Sequence, residues 1–264
     1  MISLEKFSLD ITHNGQTSFF DGNDLQMLIK HLTRLNQFTF HIRSTIYCDL
    51  VNEYPSNEQI QETLINLKEY QISSSVDYFL EKRLGQCHIY SNPYTMVCFH
   101  SIANHFPGGL FKSVRKITLF DEQPFEYQFF LNIAQAFPLI NELSLNNRKA
   151  QKYKNYRISE DNSEHLPLIK YLHLNKLRLI DAHQDYLHLF LDHTTTFLPN
   201  CLSLNISYVS LKRVTGHFTK DRLRINCRKV IRLQICDKCE LSQDIKRYFP
   251  HVKQIECLHP SNKN

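Results

Sequence analysis

The stretch Leu110–Leu145, LFKSVRKITLFDEQPFEYQFFLNIAQAFPLINELSL, decides how the rest of the chain is read. Val114, Ile117 and Leu119 stand at the spacing L-x-x-L-x-L. In a strand alternate side chains face the same way, so Ile117 and Leu119 point together into a core. An acidic turn follows, and Phe125 to Phe137 then carries apolar residues at helical spacing. Pro138 ends that run, and Ile140, Leu143 and Leu145 repeat the opening pattern 26 residues after Val114. Strand, turn, helix and strand again is a unit that cannot bury its apolar face alone, so such units have to stack.

Working outward, the same spacing recurs at Leu4, Phe7, Leu9, at Leu35, Phe38, Phe40 and at Leu67, Tyr70, Ile72. Leu84, Cys87 and Ile89 fit it again only 17 residues later, in the least regular region, 76–94. Downstream it returns at Leu174, Leu177, Leu179, at Leu202 and Leu204, at Val230, Leu233, Ile235 and at Val252, Ile255, Cys257. Asp24 to Leu32, Val97 to Phe106 and Tyr186 to Phe190 read as helices between them. Repeat starts mostly about 22 to 34 residues apart suit leucine-rich repeats. The expectation is therefore an α/β leucine-rich-repeat solenoid, a curved stack with a parallel sheet on its concave face and helices outside. It is expected as one domain over residues 1–258, interrupted by a polar insertion loop at 148–163 and followed by a disordered tail at 259–264.

Composition narrows the function classes. The 264 residues are 42% hydrophobic and 22% charged, which is ordinary for a globular chain. Six glycines and no G-x-x-x-x-G-K-[ST] argue against a phosphate-cradling loop. The net charge of +5 is mildly basic, short of a nucleic-acid-binding signature. No run of about 18 apolar residues and no signal-peptide pattern is present, so eight cysteines read as free thiols of a cytoplasmic or nuclear protein.

Fourteen histidines include no H-E-x-x-H, and no G-x-S-x-G supplies a nucleophile elbow. His188 and Asp192 stand four apart on a helix, a spacing that allows a surface contact. No nucleophile, base and orienter can be named together, so the chain reads as non-enzymatic, with no catalytic residues and no cofactor. Two weaker alternatives remain open. Cys236, Cys239, Cys257 and His259 offer soft ligands for a zinc staple, although Cys257 also fits as a buried repeat position. Arg148, Lys149, Lys152, Lys154 and Arg157 with Tyr153 and Tyr156 suit single-stranded nucleic acid, but Glu160, Asp161 and Glu164 offset them. A third alternative is a non-functional remnant whose uncapped first repeat leaves Leu4, Phe7 and Leu9 exposed.

The concave face is the leading site. Residues between the buried strand positions would face outward: Gln37, Thr39 and His41; Lys116, Thr118 and Phe120; Glu142 and Ser144; Lys176 and Arg178; Arg232 and Gln234. Polar and charged side chains on a rigid sheet suit the recognition of a protein partner.

From LIKHLTRLNQFTFHIRSTIY through SVDYF, GQCHIYSNPYTM, FPGGLFKSVRKITLFDEQPFEYQFFLNIAQAFP and INELSLNNRK, the chain resembles the leucine-rich-repeat part of F-box-type proteins. A weaker likeness continues through LPNCLSLNISYVSLKRVTGHFT and RINCRKVIRLQI. The resemblance implies the substrate-recognition half of a ubiquitin-ligase receptor, with no catalytic residues in this region. Family members carry an N-terminal F-box that docks onto a cullin ligase adaptor. This sequence opens inside the repeats, at Met1-Ile2-Ser3-Leu4, so adaptor docking is expected only where an F-box is supplied elsewhere.

Overall fold

The computed structural model describes residues 6–14, 17–31, 37–51, 53–67, 69–153, 166–237 and 243–257. The fold is α/β, and the chain divides into two compact units, Met1–Val97 with His105–Val114, and Cys98–Asn104 with Arg115–Asn264.

In the first unit the described strands and α-helices are β1 (Lys6–Asn14), α1 (Gly22–Lys30), β2 (Gln37–Tyr47), α2 (Asn57–Leu64), β3 (Gln71–Phe79) and β4 (Leu84–Asn92). Both helices begin where side chains satisfy the free N–H groups of the first turn. The Asp21 carboxylate accepts from the N–H groups of Asn23 and Asp24, and Asp24 accepts from the Asp21 N–H. Ser56 and Gln59 do the same for α2. Leu25, Ile60 and Leu64 join Phe38, Phe40, Ile42, Ile46, Cys87 and Ile89 in one core. The strands form a mixed sheet in the order β1-β2-β4-β3. β1 and β2 run parallel, whereas β4 is antiparallel to both β2 and β3.

In the second unit the described elements are β5 (Cys98–Ile102), β6 (Lys116–Phe120), α3 (Tyr127–Ala136), β7 (Glu142–Asn147), β8 (Ile169–Lys170), β9 (Lys176–Ala182), α4 (Gln184–Leu191), β10 (Thr196–Phe197), β11 (Leu202–Ile206), α5 (Tyr208–Val214), α6 (Asp221–Cys227), β12 (Val230–Ile235), α7 (Gln243–Tyr248) and β13 (Gln254–Cys257). Apart from the short β8–β10 pair, the described strands form one seven-stranded parallel sheet in chain order, β5-β6-β7-β9-β11-β12-β13. Ile117, Leu143, Leu177, Leu204 and Leu233 align in register and are almost fully buried. Phe130 of α3 meets Phe190 of α4 edge to face at 5.4 Å, tying successive crossover helices together.

The expectation of one leucine-rich-repeat solenoid over 1–258 is overturned. A stack of like units would keep its strands parallel from first to last, but two of the three pairings in the first unit's sheet are antiparallel. The spacing L-x-x-L-x-L records alternate burial, and an antiparallel strand meets that condition equally well. The 17-residue interval before Leu84 marks an antiparallel hairpin. Val97 to Phe106 is likewise no helix. Its Phe99, Ile102, Ala103 and Phe106 imitate helical spacing because β5 carries an irregularity between Phe99 and Ile102. Ser101 takes the left-handed φ of 56° there and donates its N–H to Thr118 Oγ1 at 2.7 Å. Of the expected insertion loop, 154–163 lies outside the described residues, as does the tail at 259–264. Residues 148–153 are tethered: Gln151 Nε2 donates to the Phe125 carbonyl at 2.9 Å, and the Lys152 N–H donates to Glu126. Leu4 lies outside the described residues, while Phe7 and Leu9 pack against the first unit's core.

Candidate functional site

Opposite the buried rows, the seven-stranded sheet presents a second set of residues in cross-strand register. One row runs Lys116, Glu142, Lys176, Ser203, Arg232, Gln254. Two residues further along each strand a second runs Thr118, Ser144, Arg178, Asn205, Gln234, Glu256. With strands about 4.8 Å apart, the rows cross roughly 24 Å of sheet.

The charges on this face are unequally satisfied. Glu142 Oε1 sits 3.1 Å from Lys116 Nζ, and its Oε2 sits 3.8 Å from Lys176 Nζ. Glu256 accepts from Gln234 Nε2 at 2.6 Å and from Gln254 Nε2. Both carboxylates on the rows are thus engaged. Arg178 and Arg232 are exposed and form no ion pair with any described residue. Between these arginines lies Asn205, only 4% exposed, whose Oδ1 is buried without a hydrogen-bond partner among the described residues. Leaving a buried acceptor unpaired costs about 1–3 kcal/mol, so this amide is an expensive feature of an otherwise closed sheet. Burial, and then the charge of Asp237, pushes the Cys236 thiol up, while the charge of Arg178 pulls it down.

The ends of these strands carry acidic and amide groups too, but these are consumed by the fold. Asp121 accepts from the backbone and side-chain N–H groups of Asn104 at 2.8 and 2.9 Å. Asn147 donates to the Gln123 carbonyl, and Asp237 accepts from Ser207 Oγ at the start of α5.

Of the expected face, Lys116, Thr118, Phe120, Glu142, Ser144, Lys176, Arg178, Arg232 and Gln234 stand together on this sheet. Thr39 and His41 do not, and their assignment to an open face is corrected. Both lie in β2 of the other sheet and are buried. Gln37 opens the same strand, and its side chain lies outside the described residues. Sequence reasoning missed Ser203, Asn205, Gln254 and Glu256, although the alternation Leu202-Ser203-Leu204-Asn205-Ile206 already placed the first two opposite the core.

The burial of Thr39 and His41 has a local cause. His41, Arg43 and Thr45 lie opposite Tyr90, His88 and Gln86, and these opposite Ser73, Ser75 and Asp77, so one whole face of the mixed sheet is polar. The segment after β4 covers part of it. Thr95 Oγ1 donates to Thr39 Oγ1, and Tyr94 Oη is 2.8 Å from His41 Nδ1. His41 Nε2 is 2.9 Å from His88 Nδ1, with the rings stacked. One of those nitrogens donates and the other accepts, so the pair holds a single proton between the rings. With His41 2% and His88 1% exposed, no substrate reaches either ring. A cleft of about 310 Å³ lies beside Phe19, Asp21, Glu53 and Tyr54 of this unit, but the Asp21 carboxylate is held by the first turn of α1.

The weak metal set is also corrected. Cys257 is disulfide-bonded and so has no thiolate to offer, while Cys236 is a free, half-buried thiol. Cys239 and His259 lie outside the described residues, and no group of metal-ligating side chains is found among those described. Asp192, expected in a surface contact with His188, is fully buried and pairs with Arg222 at 2.9 Å. Among the described residues no helix is long and apolar enough to cross a membrane.

Comparison of the chain with known protein families, with curated proteins and with solved structures gives no match.

Proposed function

We propose that the chain is a non-enzymatic protein-interaction module that holds a partner protein on the open face of its seven-stranded sheet. One observation carries the reading: two in-register rows of mixed charge, rigidly spaced by the strands, in which Arg178 and Arg232 lack a counter-ion among the described residues. Charged residues at fixed spacing select a partner by complementarity, and held on a sheet they lose little entropy on binding. The likeness to the substrate-binding half of F-box-type receptors extends the proposal to partners destined for ubiquitin ligation, with adaptor docking only where an F-box is supplied elsewhere.

The test is affinity capture from the source cell extract, read by mass spectrometry, with the wild-type chain beside a Ser144→Trp, Ser203→Trp variant. Both serines are half-buried on the face, so the indoles block it sterically without altering charge. Partners captured by the wild type and lost by the variant support the reading. A capture profile indifferent to the block sinks it. Ligase adaptor and cullin among the lost partners would extend it to ubiquitin ligation.

A further inference from the structure

Resting on that reading, we infer that the centre of the face is a receptor for an acidic, extended segment of the partner, with Arg178 and Arg232 taking its carboxylates. Two features converge on this chemistry. The rows carry four cationic residues, Lys116, Lys176, Arg178 and Arg232, against two acidic ones, Glu142 and Glu256. Glu142 is placed between the two lysines, and Glu256 is held by glutamines, so the uncompensated charge is the arginine pair. Guanidinium groups bind carboxylates through two parallel hydrogen bonds, which makes exposed, unpaired arginines a selective surface for them.

The second feature is their placement. Asn205 is registered directly with Arg178 on one side and Gln234 on the other, while Arg232 is registered with Ser203, two residues back. The arginines are two strands apart, with the asparagine strand between them. By strand spacing and rise their Cα atoms are separated by about 12 Å, close to the span of four residues of extended chain. A segment crossing the strands can therefore set one carboxylate on each arginine while its main chain passes over β11.

The experiment uses the full chain and a fluorescein-labelled peptide of about ten residues alternating glutamate and serine, long enough to cross the rows. Fluorescence anisotropy would follow it beside a lysine–serine peptide and a single-stranded RNA. The wild type is expected to bind the glutamate peptide, and Arg178→Glu with Arg232→Glu to weaken it by at least about tenfold. No binding of the glutamate peptide, or binding indifferent to the arginine reversals, would overturn the inference. So would RNA binding as tight as the peptide's, which would mark an unselective anion surface. Failure here with partner capture still lost in the tryptophan-blocked variant would leave the interaction module standing and remove only its acidic ligand.

Discussion

A Cβ atom at residue 22 would stand 2.1 Å from the Thr63 carbonyl oxygen, closer than any carbon is tolerated. Gly22 opens α1, and its N–H donates to Thr63 Oγ1 at 2.8 Å, so α1 and α2 touch backbone to backbone there. The obstacle is a main-chain oxygen rather than a side chain that can swing aside. Gly22→Ala is therefore expected to destabilise the first unit by about 3 kcal/mol, the upper end for overpacking a closed contact. Urea denaturation followed by the tyrosine signal checks it, and an unchanged midpoint would mean the helices do not approach this closely. Nothing in the sequence marks Gly22 as different from the chain's other glycines, because its role depends on a residue 41 positions away. Thr39 and His41 were misread for a related reason. Strand alternation correctly sets them opposite the core of Phe38, Phe40 and Ile42, but it cannot say that a later segment covers the second face. Lys116, Glu142, Lys176, Arg178 and Arg232 were legible because the face they share stays open.

At the scale of elements, legibility followed the strength of the apolar pattern. Phe125 to Phe137 and Tyr186 to Phe190 hold enough large residues for α3 and α4 to be read directly. The shorter α5, α6 and α7 each bury only two or three residues, Leu211 and Val214, then Leu223, Asn226 and Cys227, then Ile245 and Tyr248, too few to stand out from a loop. Between Pro55 and Gln61 the only apolar residue besides the proline is Ile60, so the periodic signal for α2 is weak, and only the capping box of Ser56 and Gln59 marks its start. What joins the short elements is polar as well. Asn226 of α6 is fully buried and donates Nδ2 to the Phe190 carbonyl at the end of α4, at 3.1 Å, and to the Thr196 carbonyl in β10, at 2.8 Å. Asn226→Ala would leave two buried carbonyls without this donor and is expected to cost about 2–3 kcal/mol. Hydrogen exchange would report it as lost protection in α4 and α6. Unchanged protection would show that the amide does not tie these elements.

Across the whole molecule, buried acids that ionise late give stability a one-sided dependence on pH. Burial pushes the Cys87 thiol up from 9.0 to about 12, helped by the nearby charges of Asp77 and Asp21. Burial also pushes Tyr90 up to about 12 and raises Cys227, Tyr171, Tyr186 and Tyr248 in the second unit. Between the unfolded and folded values the unfolded chain gives up protons that the folded chain keeps. Unfolding then releases protons, so stability falls as pH rises. The Cys87 contribution is complete below pH 9.0 and lost as pH climbs toward about 12, at about 1.4 kcal/mol per pH unit. Buried tyrosines add to the slope once pH passes 10.0, their ordinary value. Urea midpoints are therefore expected to hold up to about pH 9 and then fall steeply, with Cys87→Ala flattening the first part of the fall. Phenolate absorbance supplies an independent reading, since tyrosines kept neutral by burial should ionise together with unfolding, after the exposed ones have titrated. A midpoint flat to pH 11, or a slope unmoved by Cys87→Ala, would mean that water already reaches the thiol in the folded chain.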